Sequence, residues 1–294
     1  MRHYLQLHLL VLLIATTAIL GELISLSASG LVVWRTIFAA LGAALWVTLV
    51  RRRSIWPGKR MAGILFGIGL IVGVHWVCFF GAIKLANVSI SLAGMATISL
   101  FTAFTEPLLE KRRVRPFEVL LGLLVLAGIG LVAGFERGRL LGLMVAMLGA
   151  LLAAIFPVLN RKLVTTGGDP LTMVAWEMVG ACTAALILFP FVSEGESLLA
   201  WRDLDWLWIL LLAWVCTVFA HGFHIHLLRH LSAYTMNLAF NFEPVYGIIA
   251  AALLFSEHRQ LNPFFYAGMG TILLANLAHV LVMRRLARKN GATP

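Results

Sequence analysis

Residues 237–247 read NLAFNFEPVYG: two asparagines, a glutamate and a proline inside an apolar run long enough to cross a bilayer. Near the middle of such a run a charged carboxylate costs roughly 2.5–3.5 kcal/mol on insertion scales, so Glu243 must be neutral, paired or hydrated. Pro244 donates no hydrogen bond and leaves the Phe240 carbonyl without its helical partner. Polar groups at this depth persist where protein or a water-filled cavity satisfies them. At 100° per residue, Tyr234, Asn237, Asn241 and Ile248 share one helical face, whereas Met236, Phe240, Glu243 and Gly247 share another. Asn241 and Glu243 stand about 200° apart, so one narrow cavity cannot receive both. The asparagine face is expected to line it, because asparagine offers donors and acceptors without charge and suits a zwitterion. For Glu243, a brace at the proline break and a part in proton coupling stand equally.

Other segments offer partners at similar depth. VHWVCFFGAI carries His75 and Phe79 on one face and Trp76 with Phe80 on the next. Ser91, Met95 and Ser99 follow at helical spacing, although small hydroxyls also serve helix packing. Trp214 lies near mid-depth, where a single tryptophan can equally face lipid. In HGFHIHLLRH the spacings His221/His224 and His226/His230 would allow metal geometry, but no carboxylate or thiolate completes a set, so no metal site is expected. Cavity-lining and interfacial histidines explain the cluster more simply. Arg35 and Glu177 fall near opposite membrane faces, so they are not expected to pair. Arg35 is expected to meet Glu22 or lipid phosphate as a structural residue.

The elements that must position these groups are apolar helices. Of 294 residues, 61% are hydrophobic and 12% charged, too little charge for the surface of a soluble domain. The net charge of +10 sits at the ends of apolar runs rather than on one polar face, which points to membrane topology and not to nucleic acid. Helices are predicted at about 4–24, 31–50, 61–84, 87–109, 116–134, 138–160, 170–192, 205–228, 232–255 and 263–284, each near the ~20 residues a span requires. The chain is therefore expected to be an all-α membrane protein of ten transmembrane helices, a single domain over residues 1–294. Residues 1–20 resemble a signal peptide, but the apolar run continues, and a retained first helix is expected. With the N terminus inside, 17 of the 23 Lys and Arg fall on the cytoplasmic side and five on the other. Both termini are thus predicted to be cytoplasmic. Cys78, Cys182 and Cys216 are odd in number and lack CxxC spacing, which argues against a disulfide framework or zinc site.

The two halves echo each other. EKRRVRPFEVLLGLLVLAG from Glu110 aligns with EHRQLNPFFYAGMGTILLA from Glu257, KLANVSISLAGMA from Lys84 with RHLSAYTMNLAFN from Arg229, and VWRTIFAALGAAL from Val33 loosely with AWEMVGACTAAL from Ala175. Repeat one covers 1–134 and repeat two 138–285, leaving 286–294 as a cytoplasmic tail. Each repeat holds an odd number of crossings, so the second must be inverted. That is the architecture of secondary transporters, with substrate near the midplane.

VVWRTIFAALGAAL, FPVLNRKL closing the sixth helix and FEPVYGIIAAALLFSEH in the ninth resemble the EamA family of the drug/metabolite transporter superfamily over essentially the whole chain. Within it the chain is most similar to the bacterial aromatic amino acid exporters. It departs at Thr97, where the fourth helix usually has a proline, so unequal bending of the halves is expected. The resemblance implies a multi-pass protein of the bacterial inner membrane that exports amino acids with aromatic or bulky apolar side chains. The first, third, fourth, sixth, eighth and ninth helices would enclose the cavity. His75, Trp76, Phe79, Ser91, Met95, Ser99, Trp214, Tyr234, Asn237 and Asn241 are the expected substrate residues, with Pro244 and Glu243 at the helix break. No cofactor, metal or obligatory protein partner is expected beyond the solute and the lipid bilayer, and low cavity charge argues against phosphorylated substrates. A multidrug or nucleoside exporter of the same fold is the alternative. An intramembrane enzyme lacks a recognisable catalytic motif, and a receptor or scaffold would usually carry a soluble domain or long tail.

Overall fold

The computed structural model describes residues 2–111, 113–193, 195–240 and 242–289, and among them there is no strand. The helices are α1 (Arg2–Leu23), α2 (Ala28–Leu45), α3 (Lys59–Leu85), α4 (Val88–Met95), α5 (Ile98–Glu110), α6 (Pro116–Phe135), α7 (Leu140–Ala153), α8 (Phe156–Thr165), α9 (Pro170–Val192), α10 (Asp205–Ala213), α11 (Ala220–Leu227), α12 (Ala233–Phe240), α13 (Glu243–Phe255) and α14 (Pro263–Lys289). A π turn at Trp46–Val50 extends α2, and another at Trp214–Phe219 joins α10 to α11. Seven helical stretches among the described residues are long and apolar enough to cross a membrane, and three shorter apolar helices cover Val119–Val132, Glu243–Phe255 and Pro263–Ala275. The outer surface matches that reading. Leu108, Phe191 and Leu253 are each at least 78% exposed, an arrangement that suits acyl chains and not water.

Local chemistry sets the helix starts. Asn87 Oδ1 accepts from the Ile90 amide at 2.8 Å, and Asp169 Oδ2 from the Thr172 amide at 3.0 Å. Proline opens α6, α9 and α14, where its missing N–H is no loss. Successive connections gather alternately at the two ends of the bundle. At one end Ser25 binds Asp205 (2.9 Å from its amide), Lys84 Nζ donates to Ile24 O at 2.6 Å, and Glu136 accepts from the Asn262 amide at 2.7 Å. At the other, Arg51 pairs with Asp169 at 2.9 Å, Arg161 with Glu110 at 3.1 Å, and Arg229 donates to Gly168 O at 2.8 Å. Two carboxylates tie helix starts to distant segments. Glu257 accepts from the Val88 and Ser89 amides at the start of α4 (3.0 and 2.9 Å), and Glu106 from the Tyr234 amide at the start of α12 (3.4 Å).

Close helix approaches rest on glycine, though not on every pair that GxxxG spacing suggests. A Cβ at Gly69 would strike the Glu177 backbone and one at Gly180 the Phe66 carbonyl, so α3 and α9 meet backbone to backbone. Gly128 and Gly268 do the same for α6 and α14. Gly63, Gly67 and Gly130 face open space. Their spacing is right, but they lie on helix faces that meet nothing. The three cysteines are free thiols.

Candidate functional site

Three helix interruptions open the middle of the bundle. Between α12 and α13 the chain turns ahead of Pro244, with the Phe242 amide donating to Ala239 O at 3.0 Å. Between α7 and α8, Pro157 supplies no amide for the turn, and the Ala154 carbonyl left by the break accepts from Thr105 Oγ1 at 2.9 Å. The third separates α4 from α5. No proline is needed there: the Thr97 amide makes a tight bond to Gly94 O at 3.1 Å, and its hydroxyl donates to the same carbonyl at 2.7 Å. Both halves thus carry a break here, at Thr97 in the first and ahead of Pro244 in the second.

Around these breaks lies a cavity of about 800 Å³, its mouth included. Ile14 and Thr17 of α1, Arg35 of α2, and His75, Trp76 and Phe79 of α3 form part of its wall, with Met95 and Ile98 from the α4–α5 break. Ala153, Phe156 and Pro157 come from the α7–α8 break, Cys216 from the π turn, and His221 with His224 from α11. Asn237, Phe240, Glu243 and Pro244 complete it from α12 and α13. Sequence from both halves of the chain thus meets in one chamber.

Aromatic rings and buried polar groups alternate on its wall. His75 Nδ1 lies 2.9 Å from Gly149 O, and its ring centroid 5.6 Å from that of Phe156. His221 Nε2 is 2.8 Å from Glu177 Oε2, which also accepts from Asn160 Nδ2 at 3.3 Å; Glu177 is fully buried behind the wall. Asn237 donates through Nδ2 to Thr102 Oγ1 at 2.8 Å, while its Oδ1 has no partner. His224 Nε2 is likewise unpartnered.

Of the residues expected to touch substrate, the structure brings together His75, Trp76, Phe79, Met95 and Asn237, with Glu243 and Pro244 beside them. Ser91 stands outside the lining, its hydroxyl donating to Phe79 O at 3.1 Å. Ser99 is buried on α5 and Tyr234 half-buried on α12, neither on the cavity wall. Trp214 is 56% exposed on the outer side of the π turn. Asn241 lies outside the described residues. Asn237 from the asparagine face and Phe240 and Glu243 from the other all line the cavity. Angles counted at 100° per residue hold only within an unbroken helix, and the turn before Pro244 resets them.

Arg35 is the main residue that sequence reasoning misplaced. It does not reach out to Glu22 or the lipid; it is 2% exposed and lies on the cavity wall. Its Nε donates to Thr217 Oγ1 at 2.7 Å, Nη2 to Cys216 O at 3.4 Å, and its Cζ sits 3.8 Å above the Trp76 ring. The π turn makes this possible. Thr217 Oγ1 donates to Leu212 O, five residues back, at 2.8 Å, which widens the helix and turns its hydroxyl and the Cys216 carbonyl toward Arg35. Phe156 and Phe240 were also not singled out, and only their place beside the two breaks could have flagged them. His221 and His224 line the cavity as the simpler reading of their cluster held. Among the described residues no group of three His, Cys, Asp or Glu side chains is arranged to hold a metal.

A bundle of apolar helices with a lipid-facing exterior and a mixed aromatic and polar chamber at its centre defines a multi-pass membrane protein built around a solute-sized cavity. The EamA-like transporter family matches residues 1–134 and again residues 140–279, and the chain belongs to that family. Its members are transporters. The fold is similar to that of a solved structure titled only "Crystal structure of protein", with a TM-score of 0.67 at 17% identity over 96% of this chain and 97% of that one. No curated protein sequence matches the chain.

Proposed function

We propose that the chain is a secondary transporter of the bacterial cytoplasmic membrane that exports small metabolites by alternating access. In this reading it crosses the membrane ten times as two inverted five-helix repeats, 1–134 and 138–285, with both termini in the cytoplasm. The split of basic residues, 17 against five of the 23, supports that orientation. The favoured substrates are amino acids with aromatic or bulky apolar side chains. One observation carries this choice: rings of Trp76, Phe79, Phe156 and Phe240 share a chamber with Asn237, whose Oδ1 is unpartnered. Rings bind an apolar side chain, and a few placed polar atoms fix the polar end. Helix breaks at the chamber give each half a place to bend.

The test is flux into proteoliposomes over the twenty amino acids, with and without a pH gradient. Saturable flux of phenylalanine, tyrosine, tryptophan or leucine above that of glycine and lysine is expected. Flux of none of them, beside flux of planar cationic drugs or nucleosides, would replace this reading with the multidrug or nucleoside one. Flux indifferent to the gradient assigns Glu243 to bracing the break, whereas flux that follows it assigns Glu243 to coupling.

A further inference from the structure

We infer that Arg35 is the carboxylate-binding group of the cavity, so that the solute must carry one anionic oxygen group at its α2 side. This deepens the transport reading and rests on it.

The guanidinium is buried, and among the described residues no carboxylate forms an ion pair with it. The fully buried carboxylate of Glu177 is engaged by His221 and Asn160. Arg35 instead has one hydroxyl, one distant carbonyl and the face of Trp76, with Phe80 5.6 Å away, and Nη1 has no acceptor. Neutral acceptors and an aromatic face orient a guanidinium but do not cancel its charge, and a buried unpaired charge is costly. A purely structural position on an apolar helix would be served better by methionine or leucine.

The orientation is what a ligand needs. Nε is fixed by Thr217 and the plane is held over Trp76; Nη1, buried without an acceptor, and Nη2, with one long bond, are the donors left for two oxygens. Arginine binds carboxylates through such a planar pair of donors. A single guanidinium neutralises one carboxylate and falls short of a phosphate, for which several cations are usual. The same wall offers acceptors from the second half of the chain: Asn237 Oδ1, His224 Nε2 and the Glu243 carboxyl group. A solute with a carboxylate at one end and an ammonium at the other would therefore join the two halves.

The experiment compares acid and amide pairs by thermal shift of the full-length protein in detergent. Phenylalanine is matched with phenylalaninamide and 3-phenylpropanoate with 3-phenylpropanamide. In the wild type the acids are expected to stabilise at about tenfold lower concentration than the amides, the change that one charge-assisted contact makes. Arg35→Gln should abolish the difference, and Thr217→Val, which frees Nε without removing the charge, should narrow it. Equal stabilisation by acid and amide in the wild type, stabilisation by neither, or an acid preference retained in Arg35→Gln would overturn the assignment. The wild-type comparison decides even if Arg35→Gln does not fold. Acid preference without amino acid flux would sink the transport reading and leave the site; flux without acid preference would do the reverse.

Discussion

Asn237 has its two functions divided: Nδ2 is committed to Thr102, and Oδ1, on the buried side chain, has no partner. Asn237→Leu keeps the volume and removes that acceptor. Flux is expected to fall about tenfold, the equivalent of one hydrogen bond to a charged group, while the melting temperature changes by a few degrees at most. Unchanged flux in a folded variant would remove Asn237 from the site. At this scale the sequence was legible where a residue type was out of place for its depth, as with His75, Asn237 and Glu243. It was not legible where the side chain's reach decided the outcome. Arg35 reads as near a membrane face from its position along α2, yet a long side chain and a π turn on the neighbouring helix bring its guanidinium to the chamber. Trp214 faces outward while Cys216, two residues on and about 200° around the helix, lines the wall.

At the scale of elements, helix contacts depend on faces, and faces are only partly written in spacing. Gly69 and Gly180 oppose one another where α3 crosses α9, and any Cβ there meets backbone that cannot move aside. Gly180→Leu is expected to destabilise the protein by about 1–3 kcal/mol, seen as a lower melting temperature in detergent, whereas Gly63→Leu should leave it unchanged. Equal effects at both sites would mean that the α3–α9 contact is not the one described. Hydropathy marked the long helices well because lipid imposes one rule on every outward face. It could not mark the interruptions, since one falls beside a proline and another at Thr97 in an otherwise ordinary run. Angles extrapolated across the α12–α13 break put Asn237 and Glu243 on different faces, yet both line one cavity.

For the whole molecule, the alternate gathering of connections at two ends follows from antiparallel helices laid side by side, and the family match spans both halves. The central claim is that the chamber between those halves opens in turn to either side of the membrane. Met95 lines it from the α4–α5 break and is 9% exposed. Met95→Cys, made with Cys78, Cys182 and Cys216 replaced by alanine and reconstituted in vesicles, can be challenged with a membrane-impermeant thiol reagent from outside or inside. During phenylalanine exchange, modification is expected from both faces, slowed by saturating substrate and followed by loss of flux. Modification from one face only, under conditions in which flux proceeds, would contradict the account.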